Sequence, residues 1–226
     1  MKILVSDFDK TLYTKDYQEN IKAINDFVSK GNVFIVATGR NFFSITQDLD
    51  PDLKFDYLIC NTGGVIYNND YKPIYQKDLE TKVIKPIFNI LSKNPCVGNP
   101  VCDLVVKYKN AVSINANGII ARIVDRNKTF KMLDDLTQKF PQISGYLSDR
   151  WLNINDHTVS KGNAVKLICD KNNYDYSDLY VVGDNHNDVS MFEVGFGFAI
   201  ENSADELSQV AIGTVKSVKE LVEILK

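Results

Sequence analysis

The sequence contains no C-x-x-C pair. Its four cysteines, Cys60, Cys96, Cys102 and Cys169, are spaced too widely for a zinc or redox motif. Three of them sit in or beside apolar runs, where a free thiol behaves as a small buried hydrophobe. No apolar stretch approaches the roughly 20 residues that a membrane span needs, so no membrane partner is expected. Positive charge is not in excess either. Lys and Arg number 26 against 29 Asp and Glu, a net charge of −3, which lacks the basic footprint of a nucleic-acid binder. Repeats and low-complexity segments are absent. The chain starts directly on a strand-like run at Lys2 rather than on a signal peptide. Together with the free thiols, this sets the expectation of a reducing, cytoplasmic setting. Oligomeric state has no signature here.

What is present is ordinary for a globular chain: 226 residues, 44% hydrophobic and 24% charged. That length buries a core without disulfides or a structural metal. Ile3-Leu4-Val5 is a short, β-branched run ending at Ser6-Asp7, the pattern of a strand covered on both faces of a parallel sheet. Ile21, Ile24, Phe27 and Val28 then recur at helical spacing, and Lys30-Gly31 closes the helix. Val33–Ala37 reads as a second buried strand, a helix follows from about Phe42, and Tyr57–Cys60 reads as a third strand. This β-α-β-α-β order predicts a doubly wound, Rossmann-like parallel sheet.

The rhythm then changes. Val65–Tyr67 and Pro73–Tyr75 flank Asn68-Asn69-Asp70 as a hairpin. Helices are expected over about Leu79–Leu91 and Lys128–Phe140. Strands are expected at Leu104–Val106, Val112–Ile114, Ile143–Leu147 and Trp151–Ile154. After Lys161 the α/β rhythm resumes, with a helix around Ala164–Cys169, strands at Leu179–Val182 and Phe198–Ile200, and a closing helix over Val218–Leu225. The fold class is therefore α/β, with a core from residues 1–77 and 150–226 interrupted by an α+β insert over 78–149, a plausible size for a small domain.

Four polar clusters fall at the ends of these strands or at helix starts. Asp7 and Asp9 are two apart on an extended segment and emerge on the same side, at the sheet edge where open α/β folds bind ligands. Their mutual repulsion calls for a cation or a shared proton, and Mg²⁺, with its preference for hard oxygen donors, would serve. One carboxylate could then act as nucleophile while the other handles a proton. Asp and Thr are also common in plain turns. Thr38-Gly39-Arg40 offers a hydroxyl and backbone N–H groups to a phosphate, or a simple N-cap. Lys161 opens a helix, where a positive charge opposes the dipole. It either compensates Asp7 and a bound phosphate or is a solvated lysine. Asp184 and Asp188 could face one cation, or merely suit a helix's first turn. His186 reads as solvent-facing. The convergence of all four clusters on one edge favours a site.

In these motifs the sequence resembles the haloacid dehalogenase superfamily of phosphohydrolases, and more narrowly its Cof-type branch, whose cap is inserted after the third core strand. The resemblance runs through Asp7-Phe8-Asp9-Lys10-Thr11-Leu12, Thr38-Gly39-Arg40, Ser160-Lys161-Gly162 and Gly183-Asp184-Asn185-His186-Asn187-Asp188. It departs from the commonest pattern at Lys10, where Gly is frequent, and at Asn61-Thr62-Gly63-Gly64, which replaces an Asn-Gly-Ala-type loop. The resemblance implies a Mg²⁺-dependent phosphatase for small phosphorylated metabolites, such as sugar phosphates or phosphoglycolate. In it Asp7 is the nucleophile and Asp9 the general acid/base. Thr38 and Lys161 hold the phosphoryl group, with Gly39 and Arg40 beside them. Asp7, the Asp9 carbonyl and Asp184 bind the metal, supported by Asp188, and Asn187 orients the substrate. Within the insert, Lys107, Lys109, Arg122 and Arg126 are candidate substrate contacts, though each also suits an ordinary surface charge. A phosphotransferase or mutase using the same aspartyl phosphate, and a non-catalytic phosphate-binding module, are the rival readings.

Overall fold

The computed structural model describes residues 1–103, 116–148 and 150–226. The expected strands Leu104–Val106 and Val112–Ile114, and the candidate contacts Lys107 and Lys109, lie outside them. The chain divides into two compact units, Met1–Tyr75 with Ser160–Lys226, and Gln76–Val159.

The first unit opens as the hydrophobic runs dictate. β1 (Ile3–Asp7), β2 (Val33–Ala37) and β3 (Tyr57–Cys60) alternate with α1 (Tyr17–Ser29) and α2 (Phe42–Asp48). β1 and β2 are buried along their whole length, so both faces must be covered, and the three strands pair in parallel. β4 (Val65–Asn68) then runs antiparallel to β3, and β5 (Pro73–Gln76) forms the sheet edge beyond it. Lys72 returns the chain through its N–H to the Asn68 side chain at 2.8 Å, the Asx turn that Asn favours.

The second unit pairs α3 (Thr81–Ser92) and α4 (Arg126–Lys139) with β6 (Val101–Asp103), β7 (Gly118–Arg122), β8 (Ile143–Ser148) and β9 (Trp151–Asp156), in an antiparallel sheet ordered β6-β7-β9-β8. Ile84, Ile87 and Leu91 of α3 and Met132, Leu133 and Leu136 of α4 pack with Ile119, Ala121, Leu152 and Ile154 of the strands. The boundary near residue 150 expected from sequence falls inside this sheet, because β9 is hydrogen-bonded on both sides, to β7 and to β8.

The chain returns to the first unit through α5 (Lys161–Asn172), β10 (Leu179–Gly183), the short α6 (Val189–Phe192), β11 (Phe196–Ile200), α7 (Asp205–Val210), β12 (Gly213–Val215) and α8 (Val218–Ile224). The completed eight-stranded sheet has the order β12-β11-β10-β1-β2-β3-β4-β5. β10 lies parallel to β1 on the side opposite β2. Ala164, Val165, Ile168 and Cys169 of α5 cover Ile3, Val5, Ile35 and Val181 of the sheet. Burying one such branched side chain stabilises by about 1.5–3 kcal/mol. All four cysteines are free thiols, three buried and Cys102 half-buried. Among the described residues no helix is long and apolar enough to cross a membrane.

Candidate active site

Because β10, β1 and β2 are adjacent and parallel, their C-terminal ends share one edge. Asp7 ends β1 opposite Ala37 of β2, Thr38 follows Ala37, and Asp184 follows Gly183 at the end of β10. Lys161 enters the same place as the first residue of α5. The Ser160 side chain caps that helix by accepting from the Asn163 N–H at 3.0 Å. Gly162 lets the helix start sit hard against α6. A Cβ there would meet the Ser190 carbonyl oxygen at 1.9 Å, and the Gly162 N–H donates to the Ser190 hydroxyl at 3.1 Å.

Lys161 is completely buried. Its ammonium donates to Asp7 Oδ1 at 2.5 Å and to Asp188 Oδ1 at 2.6 Å. This explains a cation at a helix N-terminus. The dipole opposes it by about 0.3–1 kcal/mol, whereas two buried carboxylates in direct contact attract it far more strongly. The other oxygen of Asp188 folds back on the loop, accepting from the backbone N–H of Asp184 at 3.0 Å and of Asn185 at 3.1 Å. With the Asn185 side chain this completes a capping box. Gly183 makes the fold-back possible, since a Cβ there would lie 2.6 Å from the Asp188 carboxyl group. The Thr11 hydroxyl donates to Asp184 Oδ1 at 3.1 Å.

Asp7, Asp184 and Asp188 each bring a carboxylate oxygen within 4.8 Å of the others. Burial pushes the Asp7 carboxyl well above the usual range, and the neighbouring Asp188 charge adds to this against the pull of Lys161. Asp184 is raised for the same two reasons, burial first. Burial works against the Lys161 charge too, but Asp188 and Asp7 outweigh it and hold the ammonium protonated. Three acids thus face a single buried lysine. That surplus of negative charge, presented by hard oxygen donors, fits a divalent cation. Asp184, half-buried, is the more open side of the group.

The other expected residues form a different arrangement. The Asp9 carboxylate stands outside the acidic group. Arg40 Nε donates to Asp9 Oδ2 at 2.9 Å, and Arg40 Nη2 takes Oδ1. Metal binding at Asp9 was expected through its main-chain carbonyl, which this pairing leaves untouched. The buried Thr38 hydroxyl accepts from the Arg40 backbone N–H at 3.1 Å, so the Thr38-Gly39-Arg40 turn is tied to itself. Asn187 sits half-buried in the short turn between Asp184 and α6. His186 is exposed and faces Glu206 at 3.3 Å.

Sequence reasoning gave no role to Thr11 or Asp48. Thr11 was visible as the hydroxyl closing the first motif. Asp48 had a signal as well. It is an acid in the last turn of α2, where the helix dipole disfavours negative charge, and its partner there is Arg40 Nη1 at 2.5 Å.

Residues 4–118 and 101–222 match the family model of haloacid dehalogenase-like hydrolases. A phosphoglycolate phosphatase of Archaeoglobus fulgidus is 27% identical over 212 residues, covering 93% of this chain and 88% of its own. A 5-amino-6-(5-phospho-D-ribitylamino)uracil phosphatase of Bacillus subtilis is 25% identical over 269 residues, covering 96% and 93%. The solved structure of a haloacid dehalogenase-like hydrolase from B. subtilis shares the fold with a TM-score of 0.86 over 100% of both chains, at 17% identity. With a family model spanning nearly the whole chain, this protein belongs to the haloacid dehalogenase-like hydrolases.

Proposed function

We propose that this chain is a Mg²⁺-dependent phosphatase that hydrolyses small phosphate monoesters through a phospho-aspartyl intermediate on Asp7. The observation that carries this reading is the buried Asp7 carboxylate, held on one oxygen by Lys161 inside a group of three acids. An anionic nucleophile needs a nearby cation both to remain ionised and to let a phosphate dianion approach.

Asp7, Asp184 and the Asp9 main-chain carbonyl would hold Mg²⁺, with Asp188 supporting its water ligands. Bound there, the ion offsets the surplus negative charge and draws charge off the transferring oxygens. The remaining work belongs to side chains. Asp7 attacks phosphorus in line with the leaving alcohol, whose oxygen takes a proton from Asp9. Asp9 then removes a proton from the water that hydrolyses the aspartyl phosphate. Lys161 and the Thr38 hydroxyl hold the phosphoryl oxygens, with the Gly39 and Arg40 segment beside them and Asn187 orienting the ester. Such transfers depend chiefly on positioning and on stabilising charge at the oxygens.

The relatives bear the names of phosphatases for two chemically different small esters, at nearly equal identity to this chain. That supports the class of small phosphorylated metabolites rather than one member. The second unit, Gln76–Val159, is proposed as the cap that selects among them, with Arg122 and Arg126 as candidate contacts, and the cytoplasm as the setting.

The test is a panel of phosphorylated metabolites, a phosphopeptide and p-nitrophenyl phosphate, with Mg²⁺ and with excess EDTA. Turnover confined to small esters and abolished by EDTA is expected. Full turnover in chelator, or phosphopeptide turnover matching the best metabolite, would contradict the reading.

A further inference from the structure

Arg40 is held at both ends of its guanidinium. Nε and Nη2 take the two oxygens of Asp9, while Nη1 donates to Asp48 Oδ2 at 2.5 Å. Its Cζ lies 5.3 Å from the centre of the buried Phe8 ring, a cation–π distance. Three neighbours therefore fix one rotamer of a long side chain. The consequence falls on Asp9. Both of its oxygens are engaged by Arg40, and its carboxylate stands outside the Asp7–Asp184–Asp188 group. Asp48 stands at a helix end that disfavours an acid. Its contact there is with the Arg40 guanidinium, which ties its placement to the site.

We propose that Asp48 is a positioning residue. It sets Arg40 so that the guanidinium clamps Asp9 away from the acidic group until the dianion of a phosphate monoester draws the guanidinium off and frees the carboxylate. The inference rests on the phosphatase reading in taking Asp9 as the acid/base and a phosphate ester as the ligand. The chemistry is competitive. A guanidinium recognises carboxylate and phosphate by the same fork of N–H donors, and the phosphate carries the larger charge. The clamp is also accessible to a competitor. The Arg40 and Asp9 side chains are 24% and 45% exposed, and ion pairs open to solvent are easily exchanged. A competent state populated only in part weakens apparent affinity by that fraction. Loosening the clamp should therefore tighten phosphate binding.

The experiment uses the full chain with Mg²⁺ and inorganic phosphate, following the Arg40 Nε–H resonance by ¹⁵N NMR and assigning it by its loss in Arg40→Lys. Five proteins are compared: wild type, Asp48→Asn, Asp48→Glu, Asp9→Asn and the Asp48→Asn/Asp9→Asn double variant. In the wild type the resonance should report a hydrogen-bonded Nε–H and move on phosphate addition. Asp48→Asn should tighten phosphate binding several-fold when Asp9 is present and have no further effect in the Asp9→Asn background, because the two act through one clamp. Asp48→Glu should restore the wild-type affinity. In steady-state kinetics with p-nitrophenyl phosphate, Asp48→Asn should lower KM and leave kcat unchanged.

Weaker or unaltered phosphate binding in Asp48→Asn would overturn the proposal. So would equal tightening in both backgrounds, which would mark a general charge effect. A phosphate-responsive Nε–H in a protein with no turnover of any ester would sink the phosphatase reading and leave the clamp standing. Turnover with an Nε–H that phosphate does not move would sink the clamp alone.

Discussion

At the scale of single residues, the fully buried Lys161 decides the most. It is paired with Asp7 and Asp188 at once, so Lys161→Met leaves two buried carboxylates without their cation. Breaking a buried pair from one side costs about 3–5 kcal/mol, and chemical denaturation of the metal-free protein should register a loss of that order. Lys161→Ala should also reduce kcat by about 10²–10³, the usual effect of removing one donor to developing charge. Lys10→Ala should do far less to the rate, and equal damage from the two would mean the wrong lysine has been chosen. Lys10 takes a left-handed backbone conformation, with φ of 64°, which gives a physical reason for the glycine common there in the family pattern. The raised Asp7 and Asp184 carboxyls carry a pH dependence with a definite sign. Between the unfolded value of about 3.9 and their higher folded values, the metal-free folded state holds protons that the unfolded chain has released. Its stability therefore falls as pH rises through that window. Mg²⁺ competes with those protons, so the rise in Tm on adding Mg²⁺ should grow as the pH is raised through that window. A Tm increment independent of pH would contradict the assignment of these acids as ligands.

At the scale of elements, the site depends on close approach. α5 can deliver Lys161 only because Gly162 lies against the Ser190 carbonyl. Gly162→Ala must push α5 from α6, at about 1–3 kcal/mol for overpacking. It should also lower activity, because Lys161 adjoins the displaced residue. Undiminished Tm and kcat in Gly162→Ala would show that this contact does not position the lysine. The elements that build this edge were legible in the sequence for a physical reason. β1, β2, β3 and β10 are covered on both faces and so read as unbroken apolar runs. Lys161 was legible because a charge at the unfavourable end of a helix demands a partner. The same logic would have found Asp48. Other parts left weaker traces. β12 is only three residues long, and α6 is a single turn. β7 begins at Gly118, whose missing side chain makes room for β9. A Cβ there would lie 2.7 Å from the Ile154 carbonyl oxygen, a fact of strand pairing that no local pattern encodes. The pairing of Asp9 with Arg40 joins residues far apart in sequence, so no local pattern encodes it.

At the scale of the whole molecule, the chain is an α/β core interrupted by a unit with its own sheet and apolar cluster. If that unit serves as the cap, replacing Gln76–Val159 by a short Gly/Ser linker should flatten the kcat/KM differences among small esters while the core still binds Mg²⁺. Unaltered discrimination would place specificity in the core instead. The most direct test of the central claim, covalent phosphatase chemistry on Asp7, is a rapid acid quench of wild type and Asp7→Asn during turnover of p-nitrophenyl phosphate with Mg²⁺, with the peptide containing Asp7 analysed by mass spectrometry. The wild type should carry a phosphoryl group on Asp7. Asp7→Asn should carry none and lose turnover by several orders of magnitude, in keeping with overall enhancements of about 10⁶ or more. Turnover by a folded Asp7→Asn protein at more than a few per cent of the wild-type rate, or a phosphoryl group trapped on another residue, would contradict the account.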